Sequence, residues 1–196
     1  MKSRQEFDSD YYERFYFNPK TKVYDDEDQI RLTEFIFAYL KHLKIPVKRA
    51  LDLGCGLGHW KKEIAKAFPK ATYQGVEFSE FLCEKLGWDQ GSVVDYQGKG
   101  EYDLIICQSV FQYLTDAQVA KGMKNLVRLC RGAVYLEIIT AKDWKEHCDQ
   151  RVTDGKVYLR SADFYQKHLQ KYFRSIGGGL FLPKDSTTVV YELEGC

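Results

Sequence analysis

Arg49-Ala50-Leu51-Asp52-Leu53-Gly54-Cys55-Gly56-Leu57-Gly58-His59-Trp60 is an apolar run that breaks into three glycines on alternate positions and then into helix-like sequence. The run reads as a buried strand and the glycines as the turn that follows it. Glycine there permits positive φ and lets backbone N–H groups approach a bound molecule closely, the arrangement of a nucleotide-type site in a doubly wound α/β sheet. Spacing narrows the choice. A dinucleotide fingerprint begun at Gly54 needs glycine at position 59, where His59 stands, and a phosphate-binding P-loop needs a Lys-Ser/Thr pair that is absent.

Three further runs follow in order. Ala71-Thr72-Tyr73-Gln74-Gly75-Val76-Glu77 is β-rich and ends in an acid about 20 residues past the last glycine, the separation at which a carboxylate accepts ribose hydroxyls. Gly91-Ser92-Val93-Val94-Asp95-Tyr96 contains a second acid, and Tyr102 to Leu114 reads as a buried strand with a loop beyond it. With acid-x-Gly-x-Gly-x-Gly at 52 to 58, these runs resemble class I S-adenosylmethionine-dependent methyltransferases of the small-molecule type. The resemblance covers residues 28–196 and implies a mostly parallel seven-stranded sheet with an antiparallel last strand and helices on both faces. No internal repeat, low-complexity tract or second domain interrupts it.

Composition agrees with such a domain. In 196 residues, 44% are hydrophobic and 29% charged, which describes a globular chain, and no apolar run approaches the about 18 residues of a membrane span. The amino terminus lacks the apolar core of a signal peptide, so the expectation is a soluble, cytoplasmic protein with no membrane partner. The six cysteines form no C-x-x-C pair and read as reduced thiols in apolar surroundings. A net charge of +1 argues against nucleic acid as a partner. His147-Cys148 lacks further ligands at metal spacing, so no metal is expected.

The element order expected from periodicity and capping signals is a helix over 28–43, strand one at 49–53, a helix over 58–68, strand two at 71–77 and a short helix from the Ser79 cap to Leu86. Strand three is placed at Val93-Val94, strand four at 102–107, a helix from the Thr115 cap to 130 and strand five at 133–139. A helix from the Ser161 cap to 173 and a closing hairpin of 180–182 with 187–193 complete the chain. The apolar face of the first helix is assigned to Ile30, Phe35, Ile36, Tyr39, Leu40 and Leu43.

The resemblance assigns the cofactor as S-adenosylmethionine. Backbone N–H groups from Gly54 through Cys55 and Gly56 to Gly58, with the start of the next helix, suit its carboxylate. Asp52 balances its ammonium, Glu77 takes the ribose hydroxyls, Phe78 covers an adenine face, Asp95 with Tyr96 meets the adenine edge, and Gln108 lines the methionine end. The Asp/Asn-Pro-Pro-aromatic signature of amino-methylating enzymes on adenine or glutamine is absent, as is the Pro-Cys nucleophile of cytosine C5 enzymes, which disfavours nucleobase methylation. Glu137 and His147 are the candidate bases for an acceptor that must lose a proton. Arg151, Arg160 and Gln112 are candidates for the acceptor side.

Residues 1–27 form a separate arm or lid, with five aromatics in seven positions from Tyr11 to Phe17. Tyr11, Tyr12 and Tyr16 are placed over cofactor and acceptor, where aromatic faces attract a sulfonium and closure excludes water. The function expected is methyl transfer to an oxygen or nitrogen of a small molecule. An RNA or protein methyltransferase, and a catalytically silent regulator binding S-adenosylmethionine or S-adenosylhomocysteine, remain as alternatives.

Overall fold

The computed structural model describes residues 6–18, 20–21 and 26–192. Parts of the expected arm (residues 1–5, 19 and 22–25) and of the last expected strand (193) lie outside them. The elements in chain order are α1 (Ser9–Tyr12) continued by a π-helical turn (Glu13–Phe17), α2 (Asp26–His42), β1 (Arg49–Leu53), α3 (His59–Ala67), β2 (Thr72–Glu77), α4 (Glu80–Leu86) and β3 (Asp89–Gln90). There follow β4 (Tyr102–Gln108), a short 3-10 turn (Phe111–Tyr113), α5 (Asp116–Leu129), β5 (Cys130–Glu137), α6 (Ala141–Glu146), α7 (Ala162–Leu169), β6 (Phe173–Ser175) and β7 (Leu180–Pro183).

Among the described residues the sheet has seven strands in the order β3-β2-β1-β4-β5-β7-β6. The first five pair in parallel, β7 runs antiparallel beside β5, and β6 closes the edge antiparallel to β7. Strand order reverses between β1 and β4, so the carboxyl ends of those strands open the crevice in which such sheets bind ligands. Side chains alternate across the sheet as the pleat requires. Ile105 and Cys107 of β4 join Val119, Met123 and Leu126 of α5 and Leu169 of α7 on one face. Leu104 and Ile106 join Ile36, Phe37 and Leu40 of α2 and Ile64 of α3 on the other.

Local chemistry fixes the joints. Ser79 caps α4 by accepting from the Leu82 N–H, and Thr115 with Gln118 forms a capping box on α5. Asp103 at the start of β4 accepts from the Lys48 and Arg49 N–H groups (2.8 and 2.7 Å) and ties β4 to the entry of β1. At Gly132 the β5 backbone passes so close to β4 that a Cβ would stand 2.1 Å from the Asp103 carbonyl oxygen. The pairing register between the two strands shifts there, which only a residue without a side chain tolerates.

The structure departs from the sequence reading in three places. β3 is Asp89–Gln90, ahead of Val93-Val94, because Val93 turns inward to the core and the chain bends from Ser92 to Tyr96. The last hairpin is β6 with β7; residues 187–192 form no strand, and Phe173, expected to end a helix, begins β6. On α2 the buried stripe is Gln29, Thr33, Ile36, Phe37 and Leu40, and Ile30 and Phe35 face outward.

The aromatic arm packs against α4. Tyr11, Tyr12 and Phe15 form a cluster with Leu82, and Phe7, Tyr16, Leu57, Phe81 and Trp88 pack around it. Ser79 Oγ donates to the Phe7 carbonyl, and Tyr12 stacks on Phe81. Among the described residues no helix is long and apolar enough to cross a membrane, and no group of side chains is arranged to hold a metal.

Candidate active site

Two cavities lie at the carboxyl ends of the parallel strands. The first is lined by the glycine turn, Asp52, Glu77, Phe78, the Gly91-Ser92-Val93 bend and Gln108, and is roofed by Phe7, Tyr11, Tyr12 and Tyr16. The second lies between α2, the ends of β4 and β5, and the segment after α6, with Gln29, Gln112, Glu137, His147 and Asp154 in its wall. They adjoin, for Tyr11, Tyr16, Gln108, Ser109 and Tyr113 line both.

The glycine turn is shaped by its backbone. Gly54, Gly56 and Gly58 all have positive φ, and a Cβ on Gly58 would stand 2.7 Å from the Trp88 ring, which lies under the turn and donates its Nε1–H to the Gly56 carbonyl. A Cβ on Gly56 would meet nothing within 4 Å, so the turn leaves an open cradle on its cavity side. The N–H groups of Gly54 and Cys55 donate to the Val76 carbonyl, that of Gly58 to the Cys55 carbonyl, and that of Gly56 to Glu77 Oε2 at 2.8 Å. The glycine N–H groups are therefore engaged, contrary to the expectation that they hold a ligand carboxylate, and the start of α3 is the donor end that faces the cavity.

Two buried carboxyls face this cradle. Asp52, 2% exposed, accepts from the Tyr73 hydroxyl at 2.7 Å. Burial pushes its carboxyl up to about 7, the Tyr73 bond opposes that, and the charge of Glu77 adds to it. Glu77 accepts from the Gly56, Phe78 and Ser79 N–H groups, and burial raises its carboxyl above the usual range against those three bonds. A carboxylate has about four acceptor positions, so Glu77 staples the turn with three and keeps about one for a ligand hydroxyl.

At the junction of the cavities, Gln108 Oε1 accepts from Trp60 Nε1–H (2.8 Å) and Gln108 Nε2 donates to Glu137 Oε2 (3.1 Å). Ser109 Oγ donates to Glu137 Oε1 at 2.8 Å, and the Tyr135 hydroxyl donates to Oε2 at 3.1 Å. Ser109 has φ 55°, left-handed backbone that a non-glycine residue adopts at a cost and that is common at functional sites. A hydroxyl chain runs from Tyr11 to Tyr113 (3.1 Å) and from Tyr113 to Asp154 Oδ2 (3.1 Å).

Residues 51–133 match the family model described as a methyltransferase domain. A malonyl-(acyl-carrier protein) O-methyltransferase of Legionella pneumophila is 30% identical over 122 residues, covering 57% of this chain and 43% of that protein. DesVI of Streptomyces venezuelae has the same fold with a TM-score of 0.64 at 14% identity over 89% of this chain and 98% of that one. An S-adenosylmethionine-dependent methyltransferase from Clostridium acetobutylicum superposes with a TM-score of 0.60 at 14% identity over 96% and 94%. The fold is the one these S-adenosylmethionine-dependent methyltransferases share, and residues 51–133 carry the methyltransferase-domain pattern. It spans less than half the length of the curated relatives it matches.

The cofactor of these methyltransferases suits the first cavity. The open space at Gly56, the buried Asp52 with no cation beside it among the described residues, and the remaining acceptor position of Glu77 leave room for the methionine end, ammonium and ribose of S-adenosylmethionine. Asp52, Gly54, Cys55, Gly56, Glu77, Phe78 and Gln108 all line that cavity. Gly58 shapes the turn beneath it.

Other candidate residues lie elsewhere. Asp95 is exposed and outside both cavities, and the Tyr96 hydroxyl reaches Asp89 instead, because β3 ends four residues earlier than expected and the bend presents Gly91, Ser92 and Val93. Arg151 is exposed and paired with Asp149 (2.6 Å), and lines neither cavity. Arg160 bonds Asp116, the Leu114 carbonyl and the Tyr165 hydroxyl, which pins the segment before α7 to the start of α5 and removes it from the acceptor side. Glu137, His147 and Gln112 do line the second cavity. Sequence reading passed over Tyr113, which touches both cavities, and Gln29, a lone amide on the buried stripe of α2 that could have marked it.

Proposed function

We propose that this protein transfers the methyl group of S-adenosylmethionine to an oxygen or nitrogen of a small molecule held in the second cavity. The observation that carries the reading is the junction: a cavity with the cofactor acids opens, at Gln108, Ser109 and the three tyrosines, into another lined by polar side chains. When bound, S-adenosylmethionine supplies a methyl on a positively charged sulfur, an electrophile that needs positioning more than activation. Asp52 holds the ammonium, Glu77 a ribose hydroxyl, Phe78 an adenine face, and Ser92 takes the edge that the sequence assigns to Asp95. Gln108, clamped between Trp60 and Glu137, fixes the methionine end relative to the acceptor. Tyr11 and Tyr16 exclude water above the junction.

Glu137 and His147 stand in the acceptor wall as the groups able to accept a proton. The second cavity also disfavours a silent binder of the cofactor, which has no use for it. Isothermal titration with S-adenosylhomocysteine and with NAD tests the cofactor: the former binds and the latter does not. Tighter binding of NAD overturns the proposal.

A further inference from the structure

Resting on that reading, the geometry points to the chemical class of the acceptor: a hydroxylated small amine, bound as its cation in the second cavity with Glu137 as its seat. Two observations carry this independently. Neither amide atom of Gln29 nor the Oε1 of Gln112 has a hydrogen-bond partner among the described residues, although the residues are only 4% and 1% exposed and both line this cavity. Buried polar atoms left in that state are destabilising unless a bound molecule completes them. An amide that needs both a donor and an acceptor is matched by hydroxyl groups, and an alkyl acceptor leaves it unmet.

The second observation is charge. The cavity wall holds Asp28, Glu137, Asp149 and Asp154, with no lysine or arginine among its described residues. Asp28 and Asp149 are countered by Arg31 and Arg151. Among the described residues Glu137 is held by neutral donors, the Gln108 amide and the Ser109 and Tyr135 hydroxyls, and its charge faces the cavity without a lysine or arginine beside it. The rings of Tyr16 and Tyr113 line the same space and favour a cation further, whereas a carboxylate acceptor meets like charge. Glu137 also lies at the junction, beside Gln108 and Ser109, where a nucleophile must stand. There the ammonium gives its proton to a Glu137 oxygen, the nitrogen pair so freed bonds to the methyl carbon, and the methyl–sulfur pair remains on sulfur.

The test titrates the protein saturated with S-adenosylhomocysteine, at pH 7, with three matched probes: 2-amino-2-deoxyglucose, glucose and glucuronate. The amine binds about tenfold or more tighter than glucose, and glucuronate binds weakest. Glu137→Gln, which keeps the size and removes the charge, abolishes the preference for the amine. Gln29→Leu weakens binding of the amine and of glucose without lowering the melting temperature, since no protein bond is lost. Equal or tighter binding of glucose or glucuronate, no binding of the amine, or a preference that survives Glu137→Gln overturns the inference, and the wild-type comparison alone decides it if that variant does not fold. Failure of the wild type to bind S-adenosylhomocysteine sinks the methyltransferase reading itself; binding of it without amine preference sinks only the acceptor class.

Discussion

Asp52 and Glu77 stand at the ends of neighbouring parallel strands; burial raises both carboxyls, and the charge of Glu77 raises that of Asp52 further. With its carboxyl near 7, Asp52 of the ligand-free protein is partly protonated at neutral pH. A bound ammonium favours the ionised form, so binding below pH 7 expels a proton. Affinity for S-adenosylhomocysteine therefore rises with pH from about 5 to 7 and levels off above. Titration calorimetry in buffers of different ionisation enthalpy measures the released proton directly, and Asp52→Asn removes both the release and the pH dependence. An affinity flat across that range means that Asp52 does not face the ammonium.

Glu77→Ala removes a second set of contacts. Loss of the ribose acceptor weakens S-adenosylhomocysteine by about 1–3 kcal/mol. The N–H groups of Gly56, Phe78 and Ser79 lose their acceptor as well, so the melting temperature falls too. Glu77→Gln retains an oxygen for some of these bonds and loses less of both. Wild-type affinity in a folded Glu77→Ala protein removes the ribose role.

At the scale of elements, Gly132→Ala places a methyl group against the Asp103 carbonyl in the middle of the sheet, where neither backbone can move away. Overpacking of this kind destabilises on the order of 1–3 kcal/mol, and urea unfolding of the variant measures it. Sequence could place the strands that have both a buried pattern and a turn signal: β1, β2 and β4 begin and end within a residue or two of where glycines, prolines and acids put them. It could not place β3, two exposed residues whose strand character comes only from pairing with Val76 and Glu77. It misplaced the final hairpin because Thr187 to Leu193 has stronger β-forming side chains than Phe173 to Ser175, yet the turn at Gly177-Gly178-Gly179 aligns the weaker segment with β7. The carboxyls that line the first cavity at 52 and 77 were legible because they stand at strand ends; Asp95 was misplaced with β3. The second cavity was not, since it assembles Gln29, Gln112 and Asp154 from segments far apart in the chain.

The arm belongs to the same scale. Its side chains form roof and wall at once, Tyr11 touching Tyr113 across the junction and Tyr12 stacking on α4. If the cofactor enters the first cavity past this roof, an opening motion is expected whose population falls when the cavity is filled. Hydrogen exchange over residues 8–18 slows on adding S-adenosylhomocysteine. Strong protection that the ligand leaves unchanged identifies a permanently docked arm and removes the lid role.

At the scale of the whole molecule, two apolar clusters clamp the sheet from either face, and the polar crevice at the strand ends is where burial works against stability. The folded state holds protons on Asp52 that the unfolded chain, with its carboxyl near 3.8, has already released. The folded form thus binds more protons than the unfolded one between about pH 4 and 7, and the stability of the ligand-free protein falls as pH rises through that window. The raised carboxyl of Glu77 acts in the same direction. S-adenosylhomocysteine at 100 times its Kd adds about 2.7 kcal/mol, which raises the melting temperature by about 5–10 °C for a domain of this size. At one fixed ligand concentration the shift is larger at pH 7 than at pH 5, because affinity rises over the interval in which the ligand-free protein weakens. Scanning calorimetry at both pH values, with and without ligand, reads the two slopes together. A ligand-free melting temperature that climbs from pH 5 to 7, with a ligand shift independent of pH, means that the crevice carboxyls are not held protonated by burial and that the charge argument for the cofactor site fails.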